Sequence, residues 1–110
     1  MRKAKVYMHN KWAGIISEDE NGYHFQYKND YLSSENPEPV SLTLPLQQEA
    51  YHSPVMFSFF DGLIPEGWLL EIAEKNWKLD RRDRMGLLLT TCYDCVGAVS
   101  ILPFKEENNE

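Results

Sequence analysis

Lys3-Ala4-Lys5-Val6-Tyr7-Met8-His9, then Trp12 to Ser17, then Tyr23-His24-Phe25-Gln26-Tyr27-Lys28 are the runs that decide the fold of this chain. They read in period two, the spacing that sends successive side chains to opposite faces of a strand. Ala4, Val6 and Met8 share one face against Lys5 and Tyr7, and Tyr23, Phe25 and Tyr27 share one against His24, Gln26 and Lys28. His9-Asn10 reads as a tight hairpin turn because Asn tolerates positive φ. Glu18-Asp19-Glu20-Asn21-Gly22 is a second turn, so the first half of the chain is expected to be sheet.

Residues 29–39 are loop-like, with Ser33, Ser34, Asn36, Pro37 and Pro39. Val40, Leu42, Leu44 and Leu46 alternate with Ser41, Thr43 and Pro45, which predicts a further strand that ends or lies at an edge at Pro45. Ser53-Pro54 reads as an N-cap and first-turn pair opening a short helix through Phe57, Phe59 and Phe60, stopped by Asp61-Gly62. Pro65 opens a second helix, with Glu66 near its positive end. Asp80 is the expected N-cap of a third, in which Met85, Leu88, Leu89 and Cys92 fall at i, i+3, i+4 and i+7 as a buried stripe. Gly97 breaks that pattern, and Ala98 to Phe104 reads as a last strand. The expectation is an α+β fold, a small antiparallel sheet of about five strands packed with about three helices. Residues 1–104 form one domain, and 105–110 a frayed acidic tail.

The chain has 110 residues, 43% of them hydrophobic and 25% charged, enough to bury one core. No run approaches the ~20 apolar residues that cross a bilayer, and no export signal follows the basic start, so a cytoplasmic protein with no membrane partner is expected. Seventeen acidic against 11 basic residues give a net charge of −6, a poor basis for holding nucleic acid directly. Arg81, Arg82 and Arg84 read as solvating a helix.

Catalytic constellations are missing from the sequence. It has no glycine-rich phosphate loop, no Gly-x-Ser-x-Gly elbow and no His-Glu-x-x-His pair. Its carboxylates cluster in turns (Glu18, Asp19, Glu20), on a helical exterior (Glu71, Glu74) and in the tail, where they stay ordinary acids. Cys92 and Cys95 are a redox pair, half a zinc site or two reduced core thiols. The third reading is preferred, because His9, His24 and His52 are isolated along the chain and the pair closes a predicted helix. No catalytic residue, metal site or cofactor is expected.

The segment from Phe57 to Leu70 packs three phenylalanines, a tight turn and a tryptophan into a few residues. On a helix begun at Pro65, Leu69, Ile72 and Ala73 define the buried arc, and Glu71, Glu74 and Lys78 the wet face. Trp68 falls on a flank beside Lys75, either a residue of the core margin or a partly exposed interface anchor.

Phe59-Phe60-Asp61-Gly62-Leu63-Ile64-Pro65-Glu66-Gly67 resembles the Phe-Phe-Asp-Asn-Leu-Leu-Pro-Glu-Gly signature of the N-terminal subdomain of HipA-type kinases. Val6 to Gly14 is similar to that family's opening hairpin, though His9-Asn10 stands where the family favours Asn-Gly. Ser41-Leu42-Thr43-Leu44-Pro45-Leu46 is similar to its Leu-Ser-Leu-Ser-Leu-Pro-Leu strand, and Asp94-Cys95-Val96-Gly97-Ala98-Val99 to its close. These four ordered motifs span roughly residues 4–104. In the family a kinase body follows, whereas this chain stops. The resemblance thus implies a free-standing subdomain similar to the HipS antitoxins of HipBST toxin–antitoxin systems, which binds and neutralises a HipA/HipT-type serine/threonine kinase toxin. The alternatives it leaves open are a non-inhibitory accessory subunit that scaffolds such a kinase to a HipB-like, helix-turn-helix DNA-binding repressor, and a truncated enzyme whose kinase half lies in a downstream reading frame. It also implies that the edge bearing Asp61, Leu63, Ile64, Pro65, Glu66, Gly67, Trp68 and Lys75 faces the kinase, with Trp68 as anchor.

Overall fold

The computed structural model describes residues 2–64, 82–91 and 98–103. Within them the elements run β1 (Arg2–Met8), β2 (Lys11–Asp19), β3 (Gly22–Tyr27), α1 (Asn29–Leu32), β4 (Tyr51–Ser53), α2 (Ser58–Asp61), α3 (Arg84–Thr91) and β5 (Val99–Pro103). The five strands form one antiparallel sheet in the order β4-β3-β2-β1-β5. With three helices among the described residues, this is the α+β arrangement expected from the sequence.

Two short turns set the register of the first three strands. His9 and Asn10 have φ of 53° and 69°, the two positive values a type I′ hairpin needs, and Met8 pairs with Lys11 across them. At the second turn the Asn21 N–H donates to Asp19 Oδ1 at 2.8 Å, and Gly22 follows with φ of 127°. A Cβ at Gly22 would also lie 2.4 Å from the Ser53 carbonyl oxygen, so β4 passes only because glycine is there. Val6 opposes Gly14 but Tyr7 opposes Trp12, which leaves Ala13 as the extra residue of a bulge. At Gly14 a Cβ would lie 2.5 Å from the Gln26 carbonyl oxygen.

One face of the sheet carries the core. Ala4, Val6, Ile16, Phe25, Tyr27, Val99 and Ile101 are buried there together with Phe60, Met85, Leu87 and Leu88 from the helices. The other face is half-exposed, and on it the Lys28 ammonium sits 3.6 Å from the Trp12 ring centroid, with Tyr7 stacked at 6.5 Å.

Several expectations are corrected. The clean alternation of residues 40–46 is not a strand of the sheet. Val40 and Leu44 are buried while Leu42 is 95% exposed, because Ser41 to Leu44 makes a tight turn closed by Leu44 N–H to Ser41 C=O at 3.1 Å. Its backbone is satisfied by a side chain instead of a ladder. The Val40 N–H donates to the Tyr27 hydroxyl at 3.0 Å, and that hydroxyl donates to the Leu44 carbonyl. The fourth strand is Tyr51–Ser53, where Tyr51 pairs with Phe25 and His52 with His24. Ser53 therefore ends a strand and does not cap a helix; its Oγ accepts the Val55 N–H at 3.2 Å, and α2 begins only at Ser58. The segment expected to be loop opens with the one-turn helix α1, which buries Tyr31. In α3 the side chain that caps the first turn is Asp83, whose Oδ1 accepts the Gly86 N–H at 3.1 Å. The stripe of α3 also takes in Leu87, which is buried, while Leu89 is half-buried. Asp80, Cys92, Cys95 and the tail lie outside the described residues.

Candidate partner-binding surface

Phe57 to Ile64 is a wedge driven into the core by one ring. Phe60 is fully buried, with centroids of Phe25, Phe59 and Phe57 at 5.3, 5.1 and 6.1 Å. Tilted and edge-on contacts of this kind add to the area they bury and fix the ring's orientation. The backbone around it closes tightly. Asp61 and Gly62 N–H groups donate to Phe57 and Ser58 carbonyls at 2.9 and 3.0 Å, then Leu63 and Ile64 N–H groups to Phe60 and Asp61 carbonyls at 3.0 and 3.2 Å. The last two are i to i−3 bonds of the 3₁₀ type, each closing a four-residue turn, and they tighten the chain just before Pro65.

The described site residues are held from two sides. Asp61 Oδ1 accepts a hydrogen bond from Arg84 Nε at 2.5 Å, tying α2 to α3. Leu63 is half-buried against the core. Ile64 is 4% exposed and packs within the core, so it offers almost no surface of its own to a partner. Pro65, Glu66, Gly67, Trp68 and Lys75 lie outside the described residues.

Asp83, the neighbour of Arg84, is held in its turn by Arg2. Arg2 donates to both Asp83 oxygens, at 2.7 and 3.1 Å, and through Nε to Glu18 at 2.7 Å. The Arg2 hydrogen bonds hold the Asp83 carboxyl below the usual carboxylate range, aided by the Gly86 N–H and opposed by partial burial. The same pairing pushes the Arg2 guanidinium still higher than usual, with Asp83 the larger influence. Nothing in the sequence indicates this chain of contacts, since Arg2 and Asp83 are 81 residues apart and Asp61 and Arg84 are 23 apart.

Among the described residues, no group of three or more His, Cys, Asp or Glu side chains is placed to hold a metal ion. No helix among them is long and apolar enough to cross a membrane.

The sequence model described as the HipA N-terminal domain matches residues 4–102. The chain belongs to the HipA N-terminal domain family. An uncharacterised protein of Haemophilus influenzae is 34% identical over 106 residues, an alignment that takes in 96% of each chain. The putative kinase Y4mE of Sinorhizobium fredii is 27% identical over 108 residues, covering 97% of this chain but 26% of that protein. Among solved structures, an N-terminal domain of HipA toxin superposes with a TM-score of 0.76 at 29% identity, covering 96% of this chain and 95% of the other. The likeness is to the N-terminal domain of HipA and not to its kinase domain. Within this HipA N-terminal domain, Gly62 has an ordinary φ of −71°, and a Cβ there would sit 3.4 Å from the Ser58 carbonyl oxygen. The Asn that the HipA signature carries at this position is therefore accommodated.

Proposed function

We propose that this protein is an antitoxin-like component of a HipA-related toxin–antitoxin system, a non-enzymatic cytoplasmic domain that binds and neutralises a HipA/HipT-type kinase. The observation that carries this reading is the pair of settings in which relatives hold the domain. In a putative kinase it aligns with about a quarter of the chain, 26%, and in the Haemophilus influenzae relative with 96%. A domain shaped to lie against a kinase body keeps its surface for that body when it is made separately.

The Phe57–Ile64 wedge supports the reading physically. Phe60 and the Asp61–Arg84 pair brace the short turn that ends at Ile64, which gives the proposed contact a preorganised base. A preorganised base lowers the cost of ordering an interface. Asp61 and Leu63 would lie at the contact, with Ile64 beneath and Trp68 as anchor beside Lys75.

Co-expression with a HipA/HipT-type kinase encoded beside this chain is the direct test. Rescue of growth supports neutralisation; co-purification without rescue supports the accessory subunit that scaffolds the kinase to a HipB-like repressor. Trp68→Ala should weaken kinase binding by ~2 kcal/mol or more, about thirtyfold, with little change in melting temperature. A Trp in the core would instead cost ~3–5 kcal/mol of stability. Binding and melting measured on the same variant separate the two.

A further inference from the structure

His24 and His52, isolated in the sequence, are direct cross-strand partners on the outer face of β3 and β4. Their Nδ1 atoms lie 2.6 Å apart, with ring centroids at 4.8 Å and ring planes at 79°. Nitrogens that close share a proton in an N–H···N hydrogen bond, and the same two ligand atoms can instead be bridged by a metal ion. The second nitrogen of His24 is already committed, since Nε2 lies 3.0 Å from Asp19 Oδ2. With the carboxylate accepting the Nε2–H, neutral His24 carries its lone pair on Nδ1, facing His52. A carboxylate that orients a histidine from behind is the usual companion of a metal-binding imidazole.

We propose that His24 and His52 form an open two-imidazole site for a tetragonal divalent transition ion, Ni2+ or Cu2+, with Asp19 as the residue that positions His24. Imidazole suits these ions, and both lie high in the order of affinity for nitrogen ligands. Bonds of about 2.05 Å at a right angle place two nitrogens about 2.9 Å apart, whereas a tetrahedral ion needs about 3.3 Å. From 2.6 Å the right-angle site requires the smaller opening. His52 can supply it, being exposed and on a strand of only three residues at the sheet edge. When the ion enters, the His52 proton moves from Nδ1 to Nε2, so both rings stay neutral and no net proton is released. Water fills the remaining positions, and the ion staples β4 to β3.

Calorimetry and thermal melting of the full chain with NiCl2, against MgCl2 as control, test this. One equivalent of Ni2+ should bind and raise Tm, and Mg2+ should do neither. His24→Ala and His52→Gln should each abolish the Tm rise, and Asp19→Asn should weaken binding by about tenfold. His9→Ala and a Cys92→Ser/Cys95→Ser variant should leave both readouts unchanged. If a histidine variant folds poorly, paramagnetic broadening by Ni2+ in the NMR spectrum of the unaltered protein decides, and it should centre on His24 and His52. Broadening centred elsewhere, no Tm rise at millimolar NiCl2, or unchanged binding in His52→Gln would overturn the proposal.

Discussion

Tyr27 holds a whole turn on one oxygen. Its hydroxyl accepts from the Val40 N–H and donates to the Leu44 carbonyl, and it is 2% exposed. Tyr31 does similar work for Glu38, accepting its N–H at 3.1 Å and donating to its carbonyl at 2.8 Å, and Tyr51 donates to the Pro45 carbonyl at 2.5 Å. Tyr27→Phe keeps the ring but strands two backbone groups, which should cost about 1–3 kcal/mol and lower Tm by roughly 5 °C or more. Thermal melting of the variant checks this. Burial pushes the Tyr27 phenol up to about 12, chiefly by desolvating the phenolate and against a smaller opposing effect of the Val40 N–H. A group raised in the folded state contributes stability that is intact below its unfolded value of about 10 and is lost as pH rises through the folded one. Absorbance titration should therefore show the Tyr27 phenol ionising late, together with alkaline unfolding.

α3 depends on a single carboxylate at its start. Asp83 caps the Gly86 N–H and receives the Arg2 fork, so Asp83→Ala should cost about 1–2 kcal/mol, most of it the cap, because the ion pair is partly solvated. Arg2→Ala should cost less, since the cap survives it; urea unfolding of the two variants gives the order. Asp83 is lowered in the fold, so its contribution is present above the unfolded value of about 4 and disappears as pH falls through the folded one. β1, β2 and β3 were legible from sequence because each is long enough to show period two and the turns between them carry Asn or Gly. β4 was not, for three residues have no period. Residues 40–46 misled because alternation reports which side chains are apolar and says nothing of where the backbone finds partners, here a tyrosine hydroxyl far along the chain. At the candidate site the Phe-Phe-Asp-Gly motif was readable as a resemblance, whereas the arginine that holds its Asp could only be seen once α2 and α3 were packed.

At the scale of the molecule, the net charge of −6 sets how a partner arrives. If the kinase presents a cationic surface, association should slow several-fold between low and high salt while dissociation changes little, because steering acts on the approach. Stopped-flow measurements across an ionic-strength series would show it, and a rate indifferent to salt would remove charge from the account. The strand order has a consequence of another kind. β1 lies between β2 and β5, with Met8 against Val99 and Ala4 against Pro103. During synthesis the meander of β1, β2 and β3 is complete long before Val99 leaves the ribosome. Until then one side of β1 is a row of open backbone donors and acceptors, the form of edge that recruits foreign strands. Among the described strands β1 thus waits for β5, and a nascent chain that has made only β1 to β3 needs that open edge shielded until β5 arrives.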